Sequence, residues 1–187
     1  ATEIFRRNPL TIRISLPIVA RSGRKWEEMG FFPPVNMFRG ATELTLDSKG
    51  RLVLPTRYRE RVAERCGGKL ILTIHPGGEC LLIYPLPDWE ELERKLMRLP
   101  NLRPDAQRVQ RLLVGHAADL ELDAHGRMLL PANLRDFAGL SRDAVLIGQG
   151  SHFELWDETR WNTGRDQWLK SKTSSSDLPP ELESLTL

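Results

Sequence analysis

Cysteine is scarce in this chain: only Cys66 and Cys80 occur among 187 residues, and neither sits in a Cys-x-x-Cys arrangement. A disulfide framework and a cysteine zinc site are therefore not expected, and a reducing cytosol suits such a sequence. Long hydrophobic runs are missing too. No stretch approaches the roughly 18 apolar residues that span a membrane, and the longest, Lys69–Ile74 and Cys80–Tyr84, are strand-sized. The apolar segment 10–20 is interrupted by Arg13 and Pro17 and makes a poor secretory signal. Catalytic signatures are absent as well. There is no phosphate-cradling glycine loop, no His-Glu-x-x-His and no Gly-x-Ser-x-Gly, and Gly148-Gln-Gly150 lacks the third glycine of a dinucleotide fingerprint. His75, His116, His125 and His152 are dispersed without paired ligand spacing. No metal, cofactor or small-molecule substrate is expected, and the chain does not read as an enzyme.

An excess of one charge is lacking overall, with a net charge of +2. Residues 1–36 carry six Lys/Arg against three Asp/Glu, residues 37–162 carry 18 of each sign, and residues 163–187 carry three against four. The central body is neutral, so any basic surface there must come from local clustering. Hydrophobic residues at 40% and charged residues at 28% fit a folded globular protein.

What the sequence does contain is a repeat. Leu46–Glu60 aligns without gaps onto Leu122–Asp136, with seven identities in fifteen positions: Leu46/Leu122, Asp47/Asp123, Gly50/Gly126, Arg51/Arg127, Leu54/Leu130, Pro55/Pro131 and Arg59/Arg135. The likeness continues less strictly, with Leu70-Ile-Leu resembling Val145-Leu-Ile and Leu81-Leu-Ile-Tyr84 resembling Phe153-Glu-Leu-Trp156.

Each copy reads the same way. A short strand (43–46; 119–122) enters a tight Asp-x-x-Gly turn, where aspartate suits the first position and glycine tolerates positive φ. A second strand (51–54; 127–130) follows, and proline then opens a short helix. Tyr58, Val62 and Cys66 share one helical face in the first copy, ended by Gly67-Gly68; Leu134, Phe137 and Ala138 do so in the second, ended by Gly139. Two apolar strands close each copy: 69–75 with 80–84, and 144–148 with 152–156.

The pattern divides the chain into a non-native or disordered extension (1–36), a first module (37–87), a helical linker (88–117), a second module (118–162) and a partly disordered tail (163–187). In the linker, Asp88 and Glu91 have capping-box spacing, and Leu92, Leu96 and Leu99 line one side. Pro100–Pro104 breaks that helix, and 105–115 forms a second with Val109, Leu112 and Leu113 inward. The extension shows no clean periodicity, and Met37 stands just before the recognisable pattern.

The sharpest functional signal is Asp47-x-x-x-Arg51, duplicated as Asp123-x-x-x-Arg127. An arginine just after a tight turn stands at the end of a β-ribbon. Such a ribbon fits the DNA major groove, where arginine can donate twice to guanine. Lys49 and its counterpart His125 could meet phosphates; Asp47 with Gly50, and Asp123 with Gly126, would support the turns. The alternative is that aspartate and arginine only staple the turn. From Lys49 to Arg65, six Lys/Arg face only Glu60 and Glu64, which favours an anionic partner.

From Met37 onward the sequence resembles the MraZ family. Met37-Phe-Arg-Gly-Ala-Thr, Leu46-Asp-Ser-Lys-Gly-Arg-Leu-Val-Leu-Pro and Leu122-Asp-Ala-His-Gly-Arg-Met-Leu-Leu-Pro carry the match, over about residues 37–162. The resemblance implies a mainly β fold with short helices (α+β): two tandem AbrB-like half-modules forming a pseudo-twofold swapped-hairpin barrel, joined by a helical hairpin. It also implies a cytoplasmic, nucleoid-associated ring oligomer that binds G-rich direct repeats in the promoter of the division and cell-wall gene cluster, usually as a repressor, with Arg51 and Arg127 on double-stranded DNA. Two departures stand out: residues 1–36 have no counterpart, and His125 takes the place of a permanent cation, which implies a weaker grip on phosphate in the second copy. An AbrB-like module that binds a protein, as antitoxins do, is the competing expectation. An enzyme on a related double-psi barrel is a third.

Overall fold

The computed structural model describes residues 37–99 and 103–171. The expectations for residues 1–36 and for the tail beyond 171 lie outside these residues, as do positions 100–102 of the proline-flanked break. Among the described residues the order is β1 (Phe38–Thr45), β2 (Arg51–Val53), α1 (Thr56–Cys66), β3 (Lys69–Ile74), β4 (Cys80–Pro85), α2 (Leu86–Met97), α3 (Pro104–Leu113), β5 (Ala118–Glu121), β6 (Arg127–Leu129), α4 (Ala132–Ala138), β7 (Asp143–Gly150), β8 (His152–Asp157) and α5 (Glu158–Lys170).

The local chemistry sets these boundaries. Pro55 and Pro131 precede α1 and α4 with φ near the value their rings impose, −54° and −55°. Gly67 and Gly139 end the same helices in the left-handed region, at φ 61° and 63°, where a side chain would be strained. Strands β3, β4 and β7 are runs of Leu, Ile and Val, buried on both faces between the core and covering helices.

The strands make one open antiparallel sheet of order β1-β7-β8-β4-β3-β5 and a separate ribbon, β2-β6. Exchanging β1 with β5, β3 with β7 and β4 with β8 reproduces the same order reversed. The registers agree: Arg51 opposes Leu129 and Val53 opposes Arg127 about a central Leu52–Met128 pair, while Leu81 opposes Leu155 and Ile83 opposes Phe153 about Leu82–Glu154. A pseudo-twofold axis thus runs through the middle of the ribbon and the middle of β4-β8. Leu52 and Met128 point inward from the ribbon into the main core with Leu54, Leu130, Leu72, Leu146, Leu81 and Leu155. The α+β class with two tandem halves is the one the sequence implied, and the sheet stays open, with β1 and β5 at its edges.

Several local expectations are corrected. The strands flanking each Asp-x-x-Gly turn do not pair along their length: β1 pairs with β7 and β5 with β3, each in the other half, because only there does a long apolar partner lie alongside. The equivalent of Leu70 is Ala144, one residue before the expected Val145, since Leu70 opposes Leu120 as Ala144 opposes Leu44. A strand apolar at every position carries no alternation to fix its register.

Asp88 does not cap a helix. Helix α2 begins two residues earlier, after Pro85 and without a side-chain cap, and Asp88 instead holds the Arg65 guanidinium on α1. Leu99 falls past the end of α2 and is exposed; Phe137, expected inward, is also exposed, as is Arg61 at the equivalent position of α1. Helix α5 runs straight across residue 162, placed at the end of the second module by the sequence pattern.

Two smaller clusters flank the core. Ile71 and Leu82 on the sheet pack against Trp89 and Leu96 of α2 and Leu113 of α3. Cys80, Val145, Ile147 and Trp156 meet α5 through Trp161. Both cysteines are free, and burial pushes the Cys80 thiol up to about 12, so it packs as an apolar side chain.

Candidate nucleic-acid interface

The two turns are built alike at the backbone. Gly50 donates its N–H to the Asp47 carbonyl at 2.9 Å, and Gly126 donates to that of Asp123 at 2.8 Å. Asp47 Oδ1 accepts from the N–H groups of Lys49 and Arg51, both at 2.9 Å. Asp123 Oδ1 accepts from those of His125 and Arg127, at 2.8 and 2.9 Å. Each aspartate so replaces backbone partners that the reversal cannot supply. The N–H of Arg51 holds the Asp47 carboxyl below the ordinary carboxylate value, with the Arg51 guanidinium adding to it. Asp123 is lowered in the same direction, first by the N–H of Arg127.

Glycine is required at both turns for two reasons. Gly50 and Gly126 have φ of 76° and 74°, and a Cβ on either would meet an arginine of the other half. At Gly50 it would stand 2.7 Å from the Arg135 guanidinium, and at Gly126 2.5 Å from Arg59 Nε. Those arginines are themselves fixed: Arg59 Nε donates to the Leu54 carbonyl at 2.7 Å, and Arg135 Nε to that of Leu130 at 3.2 Å. Backbone bonds tie the halves further, from Leu54 N–H to the Gly126 carbonyl and from Leu130 N–H to the Gly50 carbonyl. Arg59 and Arg135 are identical positions of the repeat that the sequence reading left without a role. Their identity was the available signal.

The ribbon presents Arg51, Val53, Arg127 and Leu129 outward, since Leu52 and Met128 alternate inward. Arg51 and Arg127 lie diagonally across the pseudo-twofold axis, and each side chain keeps 36% of its surface exposed. The guanidinium of Arg51 is anchored by Nε to Asp47 Oδ2 at 2.7 Å, whereas Arg127 Nε stands 3.9 Å from Asp123 Oδ2. Lys49 and His125 are exposed on the turns at opposite ends of the ribbon, and no described ion pair involves either. The structure therefore brings Arg51 and Arg127 onto one accessible face, flanked by Lys49 and His125.

The basic cluster behind them is largely engaged elsewhere. Arg57 donates to the Ala41 carbonyl and to Thr42 and lies over the Tyr58 ring; Arg61 donates to the Met37 carbonyl; Arg65 meets Asp88. Of the six cations between Lys49 and Arg65, four, Arg59 included, thus make contacts within the fold, and Arg57 and Arg61 stay exposed while doing so.

The chain has known relatives over most of its length. A family model described as "MraZ protein, putative antitoxin-like" matches twice, over residues 37–112 and 113–178. The chain is 52% identical over 152 residues to a protein of Halorhodospira halophila, covering 81% of this chain and all of that one. It is 52% identical over 151 residues to one of Thioalkalivibrio sulfidiphilus and 50% identical over 151 to one of Pseudomonas aeruginosa, again with 81% of this chain and the whole of each relative covered. All three carry the name "Transcriptional regulator MraZ".

Proposed function

The chain belongs to the MraZ family, and from that premise we propose that it is a transcriptional regulator that binds double-stranded DNA in a sequence-specific way through the outer face of the β2-β6 ribbon. The observation that carries the reading is the pair of half-exposed arginines, Arg51 and Arg127, at equivalent positions about the pseudo-twofold axis. A two-stranded ribbon enters the major groove, and an arginine on it can donate to guanine O6 and N7 together. Asp47 limits the rotamers of Arg51 beforehand, which lowers the entropy lost on contact. Lys49 and His125, at the two ends, are placed to meet phosphates and set the register.

One ribbon offers few contacts, and a bidentate arginine–guanine pair discriminates by only about 1–3 kcal/mol. Useful affinity at a promoter calls for several ribbons held together. The reading accordingly extends to a homo-oligomeric ring on G-rich direct repeats in the promoter of the division and cell-wall gene cluster, acting as a repressor at the nucleoid. It is a binding function, without a catalytic step. The words "antitoxin-like" in the family description favour a second reading, a module that holds a partner protein; a small protein co-purifying with the chain would support it.

Gel-shift titration on the DNA upstream of the protein's own gene tests the first reading. Arg51→Ala and Arg127→Ala are each expected to weaken binding about 5- to 150-fold, with the oligomeric mass unchanged. Unaltered affinity in both variants would overturn it.

A further inference from the structure

The outer ribbon face holds more than arginine. Val53 is 41% exposed and Leu129 59%, although they stand in the middle of a charged surface. They occupy the same position of the repeat, two residues after Arg51 and Arg127, so the feature occurs twice. Elsewhere the chain keeps its outward strand positions polar or small, with Arg39, Ala41, Glu43 and Thr45 on β1 and Asp119 and Glu121 on β5. Val53 opposes Arg127 and Leu129 opposes Arg51. The four side chains therefore form two rows, each with one guanidinium and one aliphatic group. Residues two apart on a strand are separated by about 6.7 Å, close to two base steps of about 3.4 Å each.

We propose that Val53 and Leu129 are specificity-determining residues that contact thymine C5-methyl groups beside the guanines taken by Arg51 and Arg127. The inference rests on the DNA-binding reading above. The thymine methyl is the one apolar group that base pairs present in the major groove, and the aliphatic pair is the one apolar feature of the ribbon's outer face. Around them stand Arg51, Arg127, Lys49 and His125, with Asp47 and Asp123 beside the arginines and Asp119 and Glu121 on β5 near Leu129; the paired guanidiniums suit a base edge rather than an apolar protein surface.

Replacing thymine by uracil deletes that methyl and leaves the pairing edge intact. A duplex is first selected from a random pool by the wild-type protein, then synthesised with thymine and with uracil. Wild type is expected to bind the thymine form roughly fourfold more tightly for each methyl contacted. The Val53→Ala/Leu129→Ala variant is expected to bind both forms alike while keeping its oligomeric mass. Equal wild-type affinity for the two duplexes overturns the inference, and so does loss of mass in the variant, which would make the aliphatic pair a contact between copies. Arg51→Ala/Arg127→Ala separates the two levels. If it loses binding while the methyl effect is absent, the inference alone fails; if it binds as wild type does, the DNA reading fails with it.

Discussion

The two halves share a backbone and differ in what they attach to it. Both turns have the same hydrogen bonds and nearly the same glycine φ, yet Arg51 is locked to its aspartate at 2.7 Å while Arg127 stands off at 3.9 Å. The turn is therefore shaped by Oδ1 accepting backbone N–H groups, and the ion pair is an addition that one half makes tightly and the other only loosely. The edges differ as well. Arg57, Tyr58 and Arg61 of α1 donate to carbonyls of Ala41, Arg39 and Met37, covering the free edge of β1. Their counterparts on α4 are Asn133, Leu134 and Phe137, and no described hydrogen bond joins these to β5. Aromatic packing is equally one-sided: Phe38 and Tyr58 meet Phe153 at 4.1 and 4.9 Å, where the equivalent of Phe153 is Leu81. The duplicated pattern keeps what the shared fold needs, and each half has drifted where only its own surroundings matter.

That contrast can be tested by matched substitutions. The largest effect is expected for Phe153→Ala, about 3–5 kcal/mol of unfolding free energy in urea titrations. Leu81→Ala should fall at or below the lower end of that span, because it loses no ring partners. Gly50→Ala and Gly126→Ala should each cost about 1–3 kcal/mol, from strained φ and a displaced arginine. Equal losses measured by thermal unfolding would fit the reciprocal clamp, and a neutral result at either glycine would contradict it.

On DNA, Lys49→Ala should reduce the slope of log affinity against log salt by about one per engaged ribbon. His125→Ala should reduce it by less, because an imidazole is not a permanent cation. The smallest difference is expected in acid. Asp47 and Asp123 have lowered values in the folded chain, so their contribution is complete above the ordinary carboxylate value of 3.8 and disappears as pH falls through the lowered ones. Asp47→Asn should therefore flatten the acid limb of a stability–pH curve, and Asp123→Asn should flatten it less, lacking the close guanidinium. Identical curves for the two variants would count against the asymmetry.

Much of the site was legible in the residues. Asp-x-x-Gly-Arg specified the turn, its positive φ and the arginine at the ribbon's end, because these depend on neighbours within five positions. The repeat flagged Arg59 and Arg135 without revealing their use, since each acts on a glycine of the opposite half. The capping-box spacing at Asp88 misled for a related reason: the carboxylate is held by Arg65, 23 residues away in sequence. Phe137 misled because helical periodicity identifies a face without telling whether anything covers it.

Chain order and local chemistry settled the element types, the two halves and the turn geometry, all of which follow from steric preferences and short-range hydrogen bonds. Which strand pairs with which was settled only in three dimensions. Strands β1 and β5 each cross to the other half because burial there removes more apolar surface from water than a local hairpin could. That exchange alone puts β2 beside β6, and so places two arginines far apart in sequence on one face.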